Sequence, residues 1–474
     1  MNVAFCSSEL FPFSKTGGLA DVCGALPLAL ERLDIKISAF VPMYRHSFDD
    51  KSSLTEAAPN CFKTTIGETV DIYFIKNDAY YDRVGIYGEQ FGDYPDNFER
   101  YLYFCESVLT LINQLGLGVD MIHCHDWQTA LVPVLLRHKY NNYVAFQHVK
   151  TILTIHNLAF QGIFPLEKVR RLEFNVSQEL YQQFEFYGQI NLLKAGMCQC
   201  DEITTVSPQY AQEIQTQQYG CGLHQLLTER RESLVGILNG IDYSIWDPFK
   251  DVYLENPFDK DHIVDSKTIN KNLIQRKLKL NEDPRVPLFG FVGRLTHQKG
   301  IDLILDMLAD LDHYNIQVIL QGIGNTFYMN KLNELAGRFP EKLGLCFEFD
   351  EQLAHQIYAG SDFFLMPSNF EPCGLSQMIA LKYGTIPIVY KTGGLVDTIQ
   401  PFDPGSKNGN GIVFDEHHRK KFEEAIQAAQ GFYGDQTLMN RLIQNALASD
   451  FDWKHSAQAY KDLYQCLLSA SQEI

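Results

Sequence analysis

Lys15-Thr16-Gly17-Gly18-Leu19-Ala20-Asp21 returns near the other end of the chain as Lys391-Thr392-Gly393-Gly394-Leu395-Val396-Asp397. Each copy follows an apolar run that reads as a strand and opens a helical pattern, so each sets flexible glycine backbone at a helix start. Paired glycines let peptide N–H groups approach an oxygen closely, the helix end adds partial positive charge, and lysine adds a full one: an anion cradle. A helix-opening turn that needs glycine only for its backbone angles is the plain alternative for either copy alone. Two copies facing one cleft, each with a lysine, favour the anion.

Outward from these two stretches, short apolar runs alternate with helix-period segments, the pattern of parallel sheets covered by helices. Strands are expected over 2–7, 35–41, 120–124, 151–156 and 202–206 in the first half, and over 286–291, 316–321, 345–349, 363–366 and 385–390 in the second. Leu19, Val22, Leu26, Leu30 and Leu33 recur at spacings of three and four, so a helix with one buried stripe begins near Gly18. Pro27 should kink it or shorten its hydrogen-bond ladder. A strand over 235–238 ends in Leu238-Asn239-Gly240-Ile241-Asp242, ahead of the irregular Trp246-Asp247-Pro248, and the hinge is placed there. The expected division is therefore 1–242, 243–453 and a terminal helix over 454–474; the aromatic and aliphatic spacing of 453–468 would let that helix dock on either domain.

The 474 residues exceed one ordinary core, and 45% hydrophobic against 21% charged residues excludes a disordered or disulfide-framework chain. Lys+Arg 40 against Asp+Glu 58 leaves −18, which argues against nucleic acid or an anionic membrane as partner, because the long-range field repels both. An anionic ligand then needs a local basic pocket. Eleven scattered cysteines without a CxxC pair read as thiols in a reducing compartment. Met1 leads straight into a strand, without the basic segment and apolar core of a signal peptide, and nowhere do eighteen apolar residues run together. A cytoplasmic protein is expected, although a plastid chain with its leader removed would read alike. Nothing in the sequence specifies an oligomeric state.

The strongest basic cluster is Gly293-Arg294-Leu295-Thr296-His297-Gln298-Lys299-Gly300, after the first strand of the second half. In open α/β sheets ligands sit at the carboxyl edge, where Arg294 and Lys299 can converge on a phosphate pair; surface pairing is the bland alternative. Gly322-Ile323-Gly324 invites a dinucleotide reading, but Phe327 stands where the third glycine of GxGxxG would fall. The D-x-D triplets at 259–261, 310–312 and 450–452 lie away from strand ends and read as solvated charge. His123-Cys124-His125-Asp126 places two histidines on one strand face, yet no second cluster completes a metal site, and no metal or cofactor is expected. These histidines are read as partly buried, with Asp126 and Trp127 entering a cleft loop. His156 ends an apolar strand and precedes Asn157-Leu158-Ala159-Phe160-Gln161-Gly162, where it grips a ligand or is a satisfied core histidine. Glu371, in Ser368-Asn369-Phe370-Glu371-Pro372-Cys373-Gly374-Leu375, is presented at the sheet edge by a tight turn, either as a helix N-terminal partner or as a hydroxyl-binding group.

KTGGLADV at 15–22, TIHNLAFQG at 154–162, RLTHQKG at 294–300, EPCGLSQ at 371–377 and TGGL at 392–395, in this order and spacing, resemble bacterial glycogen synthase and the related starch synthases. Phe451-Asp452-Trp453 resembles the family's closing segment. The resemblance implies a GT-B fold of two Rossmann-like domains around a deep cleft, ADP-glucose as donor, an α-1,4-glucan as acceptor, and a last helix that crosses back to the first domain. It further implies that Lys15 and the Gly17-Gly18 turn contact the donor phosphates, that Arg294 and Lys299 grip the diphosphate, and that the turn of Thr392, Gly393 and Gly394 adds backbone donors. Glu371 would bind glucose hydroxyls, with Cys373, Gly374 and Leu375 beside it at the substrate. His156 would line the sugar and Asp126 the acceptor side, and Glu9, Asp21 and Asn239 match positions that line the cleft.

Breaking the bond between glucose C1 and phosphate builds negative charge on ADP, which fixed cations stabilise. The family retains the α configuration, and no carboxylate here is an evident nucleophile, so attack by the acceptor 4-hydroxyl on the face the phosphate leaves is expected. Two positions depart from relatives. Ile379 stands where related retaining transferases of the sucrose and lipopolysaccharide type often have a second Glu, eight residues after an acid like Glu371. Phe349 falls where some bacterial relatives have a tyrosine near the adenine, so stacking persists without the hydroxyl. The alternatives are another GT-B nucleotide-sugar transferase and a catalytically silent glucan-binding paralogue.

Overall fold

The computed structural model describes residues 1–48, 54–89, 92–259 and 262–469. The chain divides into two compact units, one comprising Met1–Gly240 with the segment from Trp453 onward, the other Ile241–Asp452. In the first unit the described strands of the main sheet are β1 (Asn2–Cys6), β2 (Lys36–Pro42), β3 (Thr55–Ala58), β4 (Cys61–Ile66), β5 (Val70–Ile75), β6 (Met121–His125), β7 (Lys150–Ile155), β8 (Glu202–Thr205) and β9 (Leu234–Gly236). Their order is β9-β8-β7-β6-β1-β2-β5-β4-β3. β1 pairs in parallel with β2 on one side, Asn2 opposite Lys36, and with β6 on the other, Val3 opposite Met121. The chain therefore reverses its winding between β1 and β6, and the carboxyl ends of these two strands flank a crevice where α/β sheets bind ligands.

The second unit repeats the plan with β10 (Leu288–Val292), β11 (Gln317–Gln321), β12 (Leu343–Cys346), β13 (Phe363–Met366), β14 (Ile386–Tyr390) and β15 (Ile412–Phe414), all parallel, in the order β12-β11-β10-β13-β14-β15. Its reversal lies between β10 and β13. Central strands covered on both faces read as unbroken apolar runs, which is why Val3, Ala4, Phe5 and Cys6 are all fully buried.

The helices that position loops are α1 (Gly18–Glu31), α2 (Asn97–Gln114), α3 (Ile301–Ala309), α4 (Ser376–Lys382), α5 (Gly393–Thr398) and α6 (Trp453–Ser469). α1 buries Val22, Leu26 and Leu30 as its spacing requires, and it runs on through Pro27. The proline removes one backbone donor without ending the element. Trp453, Ala457, Tyr460 and Tyr464 of α6 join the core that contains Leu26 and Leu30, and Lys461 Nζ donates to the Leu33 carbonyl at 3.1 Å. Burying a large apolar side chain contributes roughly 1.5–3 kcal/mol, which holds in place a helix that would be marginal in water alone.

The unit boundaries differ by a residue or two from the expected 242 and 453, for local reasons. A side chain at Gly240 would lie 2.7 Å from Trp453 backbone, so these two positions pack together in the first unit. Ile241 N–H instead donates to the Phe451 carbonyl at 2.8 Å within the second. The expected strand 345–349 is also displaced: β12 ends at Cys346, leaving Phe349 on a loop. No helix among the described residues is long and apolar enough to cross a membrane.

Candidate active site

At the reversal point of the second unit the loops after β10, β13 and β14 close on one another. Asn369 N–H donates to the Gln298 carbonyl at 2.8 Å, and a side chain at Gly300, whose φ is +70°, would sit 1.9 Å from the Pro367 carbonyl. Only glycine permits both that angle and that approach. The contact brings Lys299 Nζ to 2.6 Å from Glu371 Oε2, which also accepts from Ser368 Oγ at 2.9 Å. Glu371 is 5% exposed, and the pair is charge-assisted and largely out of water. Arg294 is exposed and spends one N–H on Gln298 Oε1 at 3.3 Å, so most of its guanidinium fork is available to a ligand.

In the third loop one of the backbone donors expected of Thr392-Gly393-Gly394, the Gly394 N–H, is engaged within the fold. α5 is only six residues long. Gly393 has φ +44°, and a side chain there would lie 2.0 Å from the Glu371 carbonyl. Gly394 N–H already donates to the Glu371 and Pro372 carbonyls at 3.1 and 3.2 Å. These glycines let the turn pack under Glu371, with Thr392 and Cys373 buried beside it, while Gly374 at φ +74° and the half-buried Leu375 lead into α4. Gly322 and Gly324 are packing glycines as well, their added side chains falling 1.8 Å from Gly293 O and 2.1 Å from Leu295 O.

The first copy behaves differently. Gly17 has an extended φ of −163°, open to any residue, and an added side chain would meet nothing within 4 Å. Neither angle nor packing demands glycine at this position. Its donors surround a carboxylate: Glu9 accepts from Thr16 N–H and Gly17 N–H, from Thr16 Oγ1 at 2.7 Å and from Tyr87 OH at 2.6 Å. Lys15 Nζ lies 2.6 Å from Asp21 Oδ1 and over the Phe11 ring. Gly18 opens α1, a helix long enough to add its dipole to the lysine.

Beside this loop, the ends of β6 and β7 place Asp126 and His156 together. Asp126 adopts φ +56°, and its Oδ1 accepts His156 N–H at 2.7 Å. Burial, with the Glu9 charge adding to it, pushes the Asp126 carboxyl up to about 7 against the pull of the His156 and Asn157 N–H groups. Burial pushes His156 down to about 3, so its imidazole is neutral. His156 Nε2 meets His125 Nδ1 at 2.9 Å.

The structure thus gathers Arg294, Lys299, Glu371 and the 392–394 turn in one unit, and Lys15, Glu9, Asp21, Asp126 and His156 in the other. Asn239 is buried at the end of the first unit, its Oδ1 without a hydrogen-bond partner among the described residues. Phe349 is 78% exposed on the loop after β12. His123 and His125 are wholly buried rather than partly so, and His123 spends its two nitrogens on Tyr464 OH and Thr154 Oγ1 at 2.7 and 2.6 Å. Among the described residues no three His, Cys, Asp or Glu side chains group as metal ligands. The D-x-D triplets are surface charge where described: Asp310 pairs with Arg419 and Asp312 with Arg338, while Lys260 and Asp261 lie outside the described residues. Sequence reasoning missed Ser368, Tyr87 and the partnership of His125 with His156; no spacing signal links Tyr87 to a carboxylate 78 residues away.

Known proteins resemble the chain over its whole length. The family described as starch synthase catalytic domain matches residues 2–229, and glycosyl transferases group 1 matches 270–448. A glycogen synthase of Thermodesulfovibrio yellowstonii is 39% identical over 99% of this chain and 98% of its own, and one of Alkaliphilus metalliredigens is 40% identical over 98% and 100%. The catalytic domain of starch synthase IV from Arabidopsis thaliana, solved bound to ADP and acarbose, superposes with TM-score 0.89 at 32% identity, covering 99% of each chain.

Proposed function

We propose, because this chain belongs to the glycogen synthase and starch synthase family of GT-B glycosyltransferases, that it transfers glucose from ADP-glucose to the non-reducing 4-hydroxyl of an α-1,4-glucan with retention of the α configuration. The observation that carries the donor half of this reading is the Lys299–Glu371 pair at the reversal point of the second sheet, with Arg294 open beside it. Two cations at that edge suit a diphosphate. Glu371 gives Oε2 to Lys299 and Ser368, and its other oxygen can only accept, which suits the hydroxyl donors of a glucose ring.

As the C1–O bond breaks, negative charge gathers on ADP, and Arg294 and Lys299 are already in place to meet it without reorganisation. The acceptor hydroxyl attacks on the face the phosphate leaves, and a phosphate oxygen takes its proton. Asp126, held near neutrality, assists that proton movement. Lys15 contacts a donor phosphate and His156 the sugar. Since Thr16 and Gly17 N–H groups hold Glu9, that carboxylate acts by shaping the Lys15 loop. The eleven free thiols support a reducing site of action, the bacterial cytoplasm. Supplying labelled ADP-glucose and UDP-glucose with glycogen or short maltooligosaccharides tests this: incorporation from ADP-glucose is expected, and none from either donor discards the reading.

A further inference from the structure

His125 ends β6 with its backbone locked: its N–H donates to Thr129 Oγ1 at 2.7 Å, and Thr129 Oγ1 donates back to its carbonyl at 2.9 Å. The ring lies between Phe5 and His123, each with centroids at 4.2 Å. Nδ1 meets His156 Nε2 at 2.9 Å, while Nε2 is buried without a hydrogen-bond partner among the described residues. Burial holds both rings neutral, so each carries one N–H and one bare nitrogen.

Two arrangements of the protons are possible, and the orphan nitrogen separates them. If His156 Nε2–H donated to His125 Nδ1, the His125 proton would sit on Nε2 as a buried donor with no acceptor among the described residues. Buried N–H groups without acceptors are rare and costly. If His125 Nδ1–H donates to His156 Nε2, the orphan is a bare lone pair, and the pair is satisfied where it meets. We infer that His125 is a positioning residue that fixes His156 in the Nδ1–H form, so that His156 presents a hydrogen-bond donor, not an acceptor, to an oxygen of the substrate. This rests on the glucosyl-transfer reading for the identity of that oxygen, a sugar hydroxyl. As a donor, His156 binds that hydroxyl through the oxygen lone pair.

Selective ring-15N labelling of the histidines in the intact protein reads the tautomer directly, with His156→Gln assigning the signal. A pyrrole-type Nδ1 and a pyridine-type Nε2 at neutral pH are expected for His156; the reverse assignment overturns the inference. In His125→Leu the His156 signal should shift toward the Nε2–H form and kcat/KM should fall about tenfold, the size of one lost hydrogen bond. His125→Asn, whose amide can donate near the Nδ1 position, should keep the Nδ1–H signature and most of the activity. An unchanged tautomer in His125→Leu also contradicts the inference, and if that variant does not fold, the spectrum of the parent protein decides. Absence of glucosyl transfer by the parent would remove the hydroxyl assignment and leave the tautomer result standing.

Discussion

Lys299 Nζ lies 2.6 Å from Glu371 Oε2, and 72 residues of sequence separate the two. The proximity is made by topology: β10 and β13 are neighbours at the reversal of the sheet, and Gly300 allows their loops to touch at the Pro367 carbonyl. A cation with a carboxylate at hydrogen-bond distance stays oriented yet shares its charge, so in the proposed reading an arriving diphosphate would compete for Lys299 while the sugar would meet Glu371. Lys299→Met and Glu371→Gln should each lower kcat about 100-fold or more. Because the two side chains act as a pair, the double variant should lose much less than the product of the single losses. Steady-state kinetics of the four proteins checks this; fully multiplicative losses would mean that the residues act independently.

Asp126 should impose a pH limb on turnover. Its carboxyl holds a proton up to about pH 7, so the carboxylate form accumulates as pH rises through that value. kcat for glucosyl transfer should rise across this range and level off above it. In Asp126→Asn the limb should vanish and kcat fall about 100-fold, within the range for a positioned acid–base group. A pH–rate profile of parent and variant measures both.

The buried histidines set the acid stability of the first unit. His123 and His156 are pushed down to about 3 and His125 well below its usual value, so below about pH 6.5 the unfolded chain binds three protons that the folded one refuses. Their contribution is complete above that pH and lost on acidification. Asp126 works oppositely: between about pH 4 and 7 the folded state keeps a proton that the unfolded state releases. At pH 5 the balance is about two protons taken up on unfolding, a loss of roughly 3 kcal/mol per pH unit. Amide exchange in β6 and β7 at pH 5 and 6 should show that slope; equal protection at both would count against it.

Phe349 offers an exposed ring without packing duties. Phe349→Ala should raise the KM for ADP-glucose about tenfold, the scale of one base stacked on an aromatic ring, while stability stays within about 0.5 kcal/mol. Phe349→Tyr should match the parent. Unchanged KM in the alanine variant would place the adenine elsewhere.

The two-unit plan was legible because buried parallel strands write continuous apolar runs, as in 2–6 and 363–366, and because loops at their carboxyl ends carry the chemistry. The strand Cys61–Ile66, second from the edge of its sheet, was not, since a half-exposed strand mixes Lys63 and Thr64 with apolar residues. The duplicated KTGGL stretch shows a sharper limit. Its two copies are nearly identical in sequence, yet one glycine stands in open space at Gly17 and the other is wedged against Glu371 at Gly393. What distinguishes them is the neighbour across the turn, which comes from another part of the chain. The same holds for Glu9: its sequence context gives no sign that Thr16 and Tyr87 donate to it.

The most direct test of the claim that fixed cations hold the departing ADP is kcat of Arg294→Ala. Arg294 is exposed and makes one 3.3 Å contact, so its removal leaves packing intact and isolates its charge. Glucosyl transfer from ADP-glucose should fall about 100-fold or more with the thermal midpoint unchanged; turnover within about threefold of the parent would contradict the claim.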